Sequence, residues 1–223
     1  MKPLVLAIDT THEFGSLALV RGETLLEQIA LQAPGGFAHV IYTPLHNLLS
    51  RQGLSPDEVD CFASASGPGS FTGVRVGLAC VKGLAEACGR PAVGVSNLEA
   101  LASCGSGRLR AAVMDARRGE VYAGLYDSEG RILAPETVAQ LGVWLETLPG
   151  PELEFISTDA ETVRAALAGT RFARAPVLAA PRALAAAIAH IATTRFLRGE
   201  ALDPAALDAN YVRRSDAELL WRE

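Results

Sequence analysis

The sequence predicts an α/β protein built from two similar lobes with a cleft between them. Two segments, "VLAIDTTHEFGSLALV" and "AAVMDARRGEVYAGLY", each contain an apolar run, an Asp, a tight turn and a second apolar run. A weak internal repeat of this kind indicates that one architecture is used twice. The small, polar stretch "SCGSGR" separates the repeats and is typical of a linker. We therefore expect an N-terminal lobe over 1–104 and a C-terminal lobe over 105–223.

The first lobe is predicted to open with a meander of three strands. Leu4–Ile8 is a continuous apolar run, which is typical of a buried strand. Two further strands surround the turn at Arg21 and Gly22, because alternating apolar residues lie on both sides of it. The other elements predicted for this lobe are helices over 37–51, 72–88 and 96–102, and strands over 61–65 and within 89–95.

The second lobe repeats the strand meander before its helices. Its first strand is an apolar run that ends near Asp115, and "ARRG" then forms a turn. The predicted strands are 110–114, 120–126, 131–135 and 154–157, the predicted helices are 141–147, 160–168 and 181–198, and an irregular tail covers 203–223.

The stretch "SGPGSFTGVRVGLACVKGLAEA" places five glycines in a loop and the helix that follows it. Glycine inside a helix costs about 1 kcal/mol relative to alanine, so these glycines need a reason. The loop Gly67–Ser70 is a candidate anion nest at a helix N-terminus, although it lacks the Lys-Ser/Thr ending of a P-loop. The helix repeats small residues, which indicates close packing, either within the lobe or against a partner. The residues of this flat face are Gly73, Val76, Gly77, Cys80, Gly83 and Ala87.

Composition excludes several classes of function. The net charge is −5, so the chain lacks the basic balance of a protein that grips RNA alone. The four cysteines form no metal-binding or redox pattern, which favours reduced thiols and a cytoplasmic location. The apolar run at the start is too short for a signal peptide or a membrane span. No nucleophile elbow, zinc-protease motif or catalytic triad order is present, so peptidase activity has no support.

Five blocks together resemble a known family. They are "LAIDT", "SGPGSFTGVRVGL", "GVSNLEALA", "MDARRGEVY" and "YVRRSDAE", and they are spread in order from one end of the chain to the other. This ordered set resembles the bacterial TsaB (YeaZ) family of the actin-like ATPase superfamily. The resemblance implies a two-lobed actin-like (ribonuclease H-like) fold, in which each lobe is a mixed sheet flanked by helices.

The resemblance also implies a function. The family is a non-catalytic scaffold in the formation of threonylcarbamoyladenosine beside the anticodon of ANN-decoding tRNA, together with the catalytic paralogue TsaD and the ATPase TsaE. It implies no cofactor for this chain by itself, ATP and Mg²⁺ used by the complex, contact with tRNA only through the complex, and no membrane. It also implies self-association through the first lobe.

The expected partner interface combines the flat helix face with the helix over 37–51. His39 and His46 are seven residues apart, so a continuous helix would carry both on one face. No carboxylate is placed to complete a metal site with them, so we expect surface or interface histidines and no metal.

A second candidate site uses the Asp that ends the first strand of each lobe. Asp9 and Asp115, with Thr10, Gly69 and Ser70, would form a nucleotide or anion cleft, and the alternative function is a free-standing actin-like ATPase or kinase. Against it, "FISTDAE" lacks the glycines that an adenosine site needs, and both Asp residues would equally cap their own turns. The arginines of "DARRGEVY", and Arg213 and Arg214 in the tail, are read as charged turns or as contacts to a phosphate or an acidic partner.

Overall fold

A computed structural model describes residues 2–213 of the chain, which divides into two compact units. The first unit comprises the residues up to 97 together with 183–210. Its sheet contains five strands, in the order β3-β2-β1-β4-β5. The strands are β1 (Leu4–Asp9), β2 (Phe14–Arg21), β3 (Thr24–Gln32), β4 (Cys61–Gly67) and β5 (Ala92–Ser96). β1, β2 and β3 form an antiparallel meander, whereas β4 and β5 extend the sheet in parallel from β1.

Helices cover both faces of this sheet, which explains why β1 is apolar at every position before Asp9. Leu4, Leu6 and Ile8 join the core formed with α1 (Tyr42–Arg51) and α2 (Phe71–Cys88). Because side chains alternate along a strand, Val5 and Ala7 point to the opposite face. There α6 (Ala185–Leu197) packs against β1, β2 and β4. A strand covered on both faces reads as a continuous apolar run rather than an alternating one.

The placement of α6 differs from the boundary expected at residue 104. That boundary assigned everything after the linker to the second lobe, but the chain returns at 183 and α6 packs on the first sheet. Its N-terminus is tied there, since the Ala185 N–H donates to Ser16 Oγ at 3.1 Å and the Ala186 N–H donates to Gln28 Oε1 at 2.8 Å. Its apolar residues predict burial but carry no information about which sheet they cover.

The second unit comprises 98–182 together with 211–213 among the described residues. Its strands are β6 (Leu109–Arg117), β7 (Glu120–Asp127), β8 (Ile132–Ala139), β9 (Glu154–Ser157) and β10 (Val177–Ala179), in the order β10-β9-β6-β7-β8. The strands of this sheet have the same order and directions as those of the first sheet, because a meander of three strands is again extended by two parallel strands. The repeated pattern of apolar run, Asp and turn is therefore a repeat in structure.

The remaining helices are α3 (Asn97–Ala102), α4 (Leu141–Thr147) and α5 (Ala160–Leu167). The core of the second unit contains Trp144 of α4, Phe155 of β9 and Phe172. The two phenylalanine rings meet edge to face, with centroids 5.5 Å apart. Within residues 2–213, no helix combines the length and apolar character needed to cross a membrane.

The structure differs from the sequence prediction at one helix and at one strand. The helix expected over 37–51 is a short 3-10 turn, Phe37–His39, followed by α1 from Tyr42. Pro44 explains the break, because a proline ring clashes with the carbonyl four residues earlier unless it lies in the first helical turn. The sequence pattern also missed β10, which has only three residues and lies between prolines.

Phe155→Ala should destabilise the second unit by about 3–5 kcal/mol, because the buried ring fills space between β9 and Phe172. Val143→Ala is the matched control, since Val143 is 61% exposed on α4 and should change stability by less than about 0.5 kcal/mol. Urea unfolding followed by the fluorescence of the buried Trp144 measures both. Equal midpoints for the two variants would contradict the assigned core.

Candidate functional site

The first candidate site is the turn that follows β1. Asp9 is 1% exposed, and its Oδ1 accepts hydrogen bonds from the Thr11 N–H at 2.9 Å and from Thr11 Oγ1 at 2.6 Å. A carboxylate that bonds the residue two positions later holds its own turn closed. Asp9 therefore caps the β1–β2 turn, which is one of the two roles expected for it.

Asn97, at the start of α3, connects this turn to the glycine-rich loop. Its Nδ2 donates to Thr11 Oγ1 at 2.7 Å, and its Oδ1 accepts from the Gly67 N–H at 3.1 Å. The side chain is fully buried, so both of its polar atoms need these partners. Sequence reasoning missed Asn97, because its partners lie 86 and 30 residues away along the chain.

The glycines at the start of α2 allow the helix backbone to lie directly on this turn. A Cβ added at Gly73 would lie 2.0 Å from the carbonyl oxygen of Thr10, and one at Gly77 would lie 2.8 Å from Thr10 Oγ1. Thr10 Oγ1 also donates to the Gly73 carbonyl at 2.7 Å. The approach is closer than any side chain allows, so these two glycines serve packing within the unit.

The loop Gly67–Ser70 has few groups left for an anion. The Gly67 N–H donates to Asn97, the Ser70 N–H donates to the Thr11 carbonyl at 2.7 Å, and Pro68 has no N–H. Ser70 Oγ accepts from the Gly73 N–H at 3.3 Å and so caps α2. Of the N–H groups in this loop, that of Gly69 alone has no partner among the described residues and could bind an anion. This disfavours the anion-nest interpretation.

The residues expected at a partner interface separate into two groups. Gly73, Gly77 and Cys80 are buried inside the unit, because they point from α2 towards the sheet and the turn after β1. This corrects the expectation that all six residues of the flat face of α2 contact a partner. The others lie at the surface or partly exposed, and their contact with a partner stays a prediction: Val76, Gly83, Ala87, His39 and His46.

Burial also determines the chemistry of two thiols. It raises the pKa of Cys61 to about 12 and that of Cys80 to about 11, and a hydrogen bond with Tyr42 acts in the opposite direction on Cys80. Both thiols therefore stay protonated near neutral pH, and the thiolate is the reactive form of cysteine. Buried structural thiols are what the sequence predicts at these positions.

The two candidate histidines do not share one continuous helix. His39 ends the 3-10 turn, whereas His46 lies within α1 and its Nε2 is 3.4 Å from Ser50 Oγ. Among residues 2–213, no group of three His, Cys, Asp or Glu side chains could hold a metal ion.

Asp115, in the second unit, also bonds its own turn. Its Oδ1 accepts from the Arg117 N–H at 2.8 Å, and the side chain is exposed. The turn is tight, with positive φ at Arg117 and Arg118. Glu120 pairs with Arg213, whose guanidinium also donates to the Ala116 carbonyl at 2.9 Å.

The pair between Glu120 and Arg213 was also missed by sequence reasoning, because 93 residues separate the two. Arg214 and the rest of the "YVRRSDAE" block after Arg213 lie outside the described residues.

In "FISTDAE", Asp159 caps α5 by accepting a hydrogen bond from the Thr162 N–H, and hydrogen bonds from Thr162 lower the pKa of this carboxyl.

Two mixed sheets of this order, each flanked by helices and each beginning with a strand that carries an Asp at or near its end, define an actin-like (ribonuclease H-like) protein. A family model described as TsaD, tRNA N6-adenosine threonylcarbamoyltransferase, matches residues 33–199. The protein named YeaZ from Pseudomonas aeruginosa has a similar structure, with a TM-score of 0.76 and 28% identity over 94% of this chain and 99% of that one.

Curated relatives of similar sequence identify a family within the actin-like class. The tRNA threonylcarbamoyladenosine biosynthesis protein TsaB of Bacillus subtilis is 35% identical over 65% of this chain and 65% of its own length. TsaB of Escherichia coli is 38% identical over 61% of this chain and 62% of its own length. The chain thus spans less than two thirds of the length of these relatives. It belongs to the TsaB (YeaZ) family.

Gly73→Ala should destabilise the first unit by about 3 kcal/mol or more, because the added methyl group would lie 2.0 Å from the Thr10 carbonyl oxygen. Gly83→Ala is the matched control on the same helix, since no atom of the described residues lies within 4 Å of its added Cβ. Alanine there should stabilise the helix by about 0.5–1 kcal/mol. Thermal unfolding of both variants tests the contact, and a Gly73→Ala variant as stable as the parent would disprove it.

Proposed function

We propose that the chain is a non-catalytic scaffold subunit in the formation of threonylcarbamoyladenosine beside the anticodon of ANN-decoding tRNA. It would act in the cytoplasm with the catalytic paralogue TsaD and the ATPase TsaE, and it would contact tRNA only within that complex. The printed names of the Bacillus subtilis and Escherichia coli relatives support a role in this modification.

The observation that carries the non-catalytic role is the state of the two candidate cleft carboxylates. An actin-like nucleotide site needs carboxylates that face Mg²⁺ and its waters. Oδ1 of Asp9 is occupied by Thr11 of its own turn, and α2 lies on the next residue, Thr10. Oδ1 of Asp115 is likewise bonded to its own turn. These contacts support a structural role for both residues, with ATP and Mg²⁺ used elsewhere in the complex.

The docking surface in this proposal is the outer face of α2 with the neighbouring α1. Val76, Gly83 and Ala87 lie on the flank of α2 beside Gly73 and Gly77. Gly83 and Ala87 are exposed there, whereas Val76 is half-buried and packs against the core. Three large apolar side chains are exposed near this surface. They are Val40 just before α1, Tyr42 of α1, which is 60% exposed, and Phe71 of α2. Exposed apolar groups of this kind favour contact with another protein. The same surface would serve a homodimer or the TsaD paralogue.

Gly83→Leu should weaken pairing with the catalytic paralogue by about tenfold or more, because the bulky side chain would hold a partner helix away from α2. Its fold should be unchanged, since the space around Gly83 is open. Gly83→Ala is the control that alters the residue with little added volume. Sedimentation or calorimetry of each variant with purified TsaD measures pairing, and an unchanged affinity for Gly83→Leu would remove this face from the proposal.

Asp9→Asn and Asp115→Asn distinguish the scaffold from the alternative, a free-standing actin-like ATPase or kinase. An amide Oδ1 can still accept the turn hydrogen bonds, so a scaffold should support tRNA modification within about twofold of the parent. A catalytic carboxylate would lose activity by about 100-fold or more. Modified nucleoside formed in the reconstituted system is the readout. A large loss in either variant, with TsaD pairing intact, would favour the enzyme.

A further inference from the structure

A groove of about 290 Å³ lies in the second unit, and none of the residues of the candidate sites described above lines it. Three segments form it: the end of the linker, the residues that lead into β9, and the segment between α5 and β10. Leu109, Leu153 and Pro176 contribute apolar wall, whereas its charged residues are arginines and glutamates. The groove has no role in the scaffold function proposed above.

Two of its arginines have guanidinium groups available for a ligand. Arg108 and Arg174 are exposed, and within residues 2–213 neither makes an ion pair or a hydrogen bond through its side chain. Arg171 differs, because its Nη2 donates to the carbonyls of Leu145 at 3.0 Å and Leu148 at 2.6 Å. Arg171 therefore forms part of the wall and still adds positive charge.

The two glutamates of the groove have different surroundings. Glu154 Oε2 accepts from the Ser106 and Gly107 N–H groups, both at 2.7 Å, so this carboxylate holds the linker in place. A Cβ at Gly105 would lie 2.6 Å from the same oxygen, which shows how closely the linker lies on it. Glu152 is exposed at the rim and has no such partner among the described residues. Both carboxylates oppose an anionic ligand, and the three arginines of the groove outnumber them.

We propose that this groove contacts backbone phosphates of the RNA substrate through Arg108 and Arg174. Guanidinium groups pair with phosphate oxygens through two parallel hydrogen bonds, and an exposed arginine without a carboxylate partner is ready to do so. Because the chain has a net charge of −5, RNA contact must come from a local group of cations rather than from the whole surface. This inference rests on the proposed function, which supplies a tRNA to the complex.

The test is the double variant Arg108→Gln/Arg174→Gln in the complex reconstituted with TsaD and TsaE, with unmodified tRNA as the probe. The KM for tRNA should rise roughly fivefold or more while kcat stays unchanged. The logarithmic salt dependence of tRNA affinity should become shallower by roughly 1–2 units, because about 0.7–0.9 units are lost with each phosphate contact. Glu152→Gln should act in the opposite direction and tighten tRNA binding.

Arg131→Gln is the control outside the groove, since it removes one positive charge from a side chain that is 72% exposed and pairs with Glu129. It should change the KM for tRNA by less than about twofold. Circular dichroism and melting of every variant report whether the fold is intact.

The possible results distinguish failure of the proposed groove from failure of the proposed scaffold function. A parent chain that supports modification, together with a double variant of unchanged KM and salt slope, overturns the groove and leaves the scaffold intact. A double variant that loses TsaD or TsaE pairing instead identifies an acidic protein segment as the occupant, and also overturns it. A parent chain that supports no modification contradicts the scaffold, and direct binding of tRNA to the assembled proteins then still tests the groove.

Discussion

The backbone contact between α2 and the turn after β1 is the constraint on which the first unit depends. A helix axis normally stays about 8–10 Å from a neighbouring element, because side chains fill the gap. At Gly73 the helix instead lies on the Thr10 carbonyl, and the Thr10 hydroxyl donates back to the Gly73 carbonyl. Asp9 and Asn97 then fix the same turn from the strand and from the start of α3. The glycine-rich stretch, the Asp turn and Asn97 are therefore one packing unit.

This constraint changes what the glycines of α2 mean for function. Glycines that contact Thr10 are not available to a partner, so the helix has an inner face built for the fold and an outer face that is free for recognition. Gly83 differs from Gly73 and Gly77, because no atom of residues 2–213 lies within 4 Å of a Cβ added there. A glycine that costs helix stability without an internal contact favours an external one. The proposed docking surface rests on that difference.

Much of the fold could be predicted from the sequence, because apolar runs and an internal repeat are local signals. The turn-capping role of Asp9 was one of two interpretations, since a carboxylate followed by two threonines suits a turn and a metal equally. The hydrogen bonds of Asn97 and the pairing of Arg213 with Glu120 could not be predicted, although both residues lie in quoted blocks, because their partners are distant in sequence. The assignment of α6 failed for the same reason, since an alanine-rich helix fits either sheet. Pro44 was the signal that could have corrected the helix over 37–51.

In the proposed function, this chain supports tRNA modification through contact and not through chemistry of its own. The most direct test measures threonylcarbamoyladenosine formed on tRNA by TsaD and TsaE with and without the chain, and ATP hydrolysis by the chain alone. The account predicts that modification requires the chain and that the isolated chain hydrolyses no ATP above background. Full modification in its absence, or ATP turnover by the chain alone, would contradict the account.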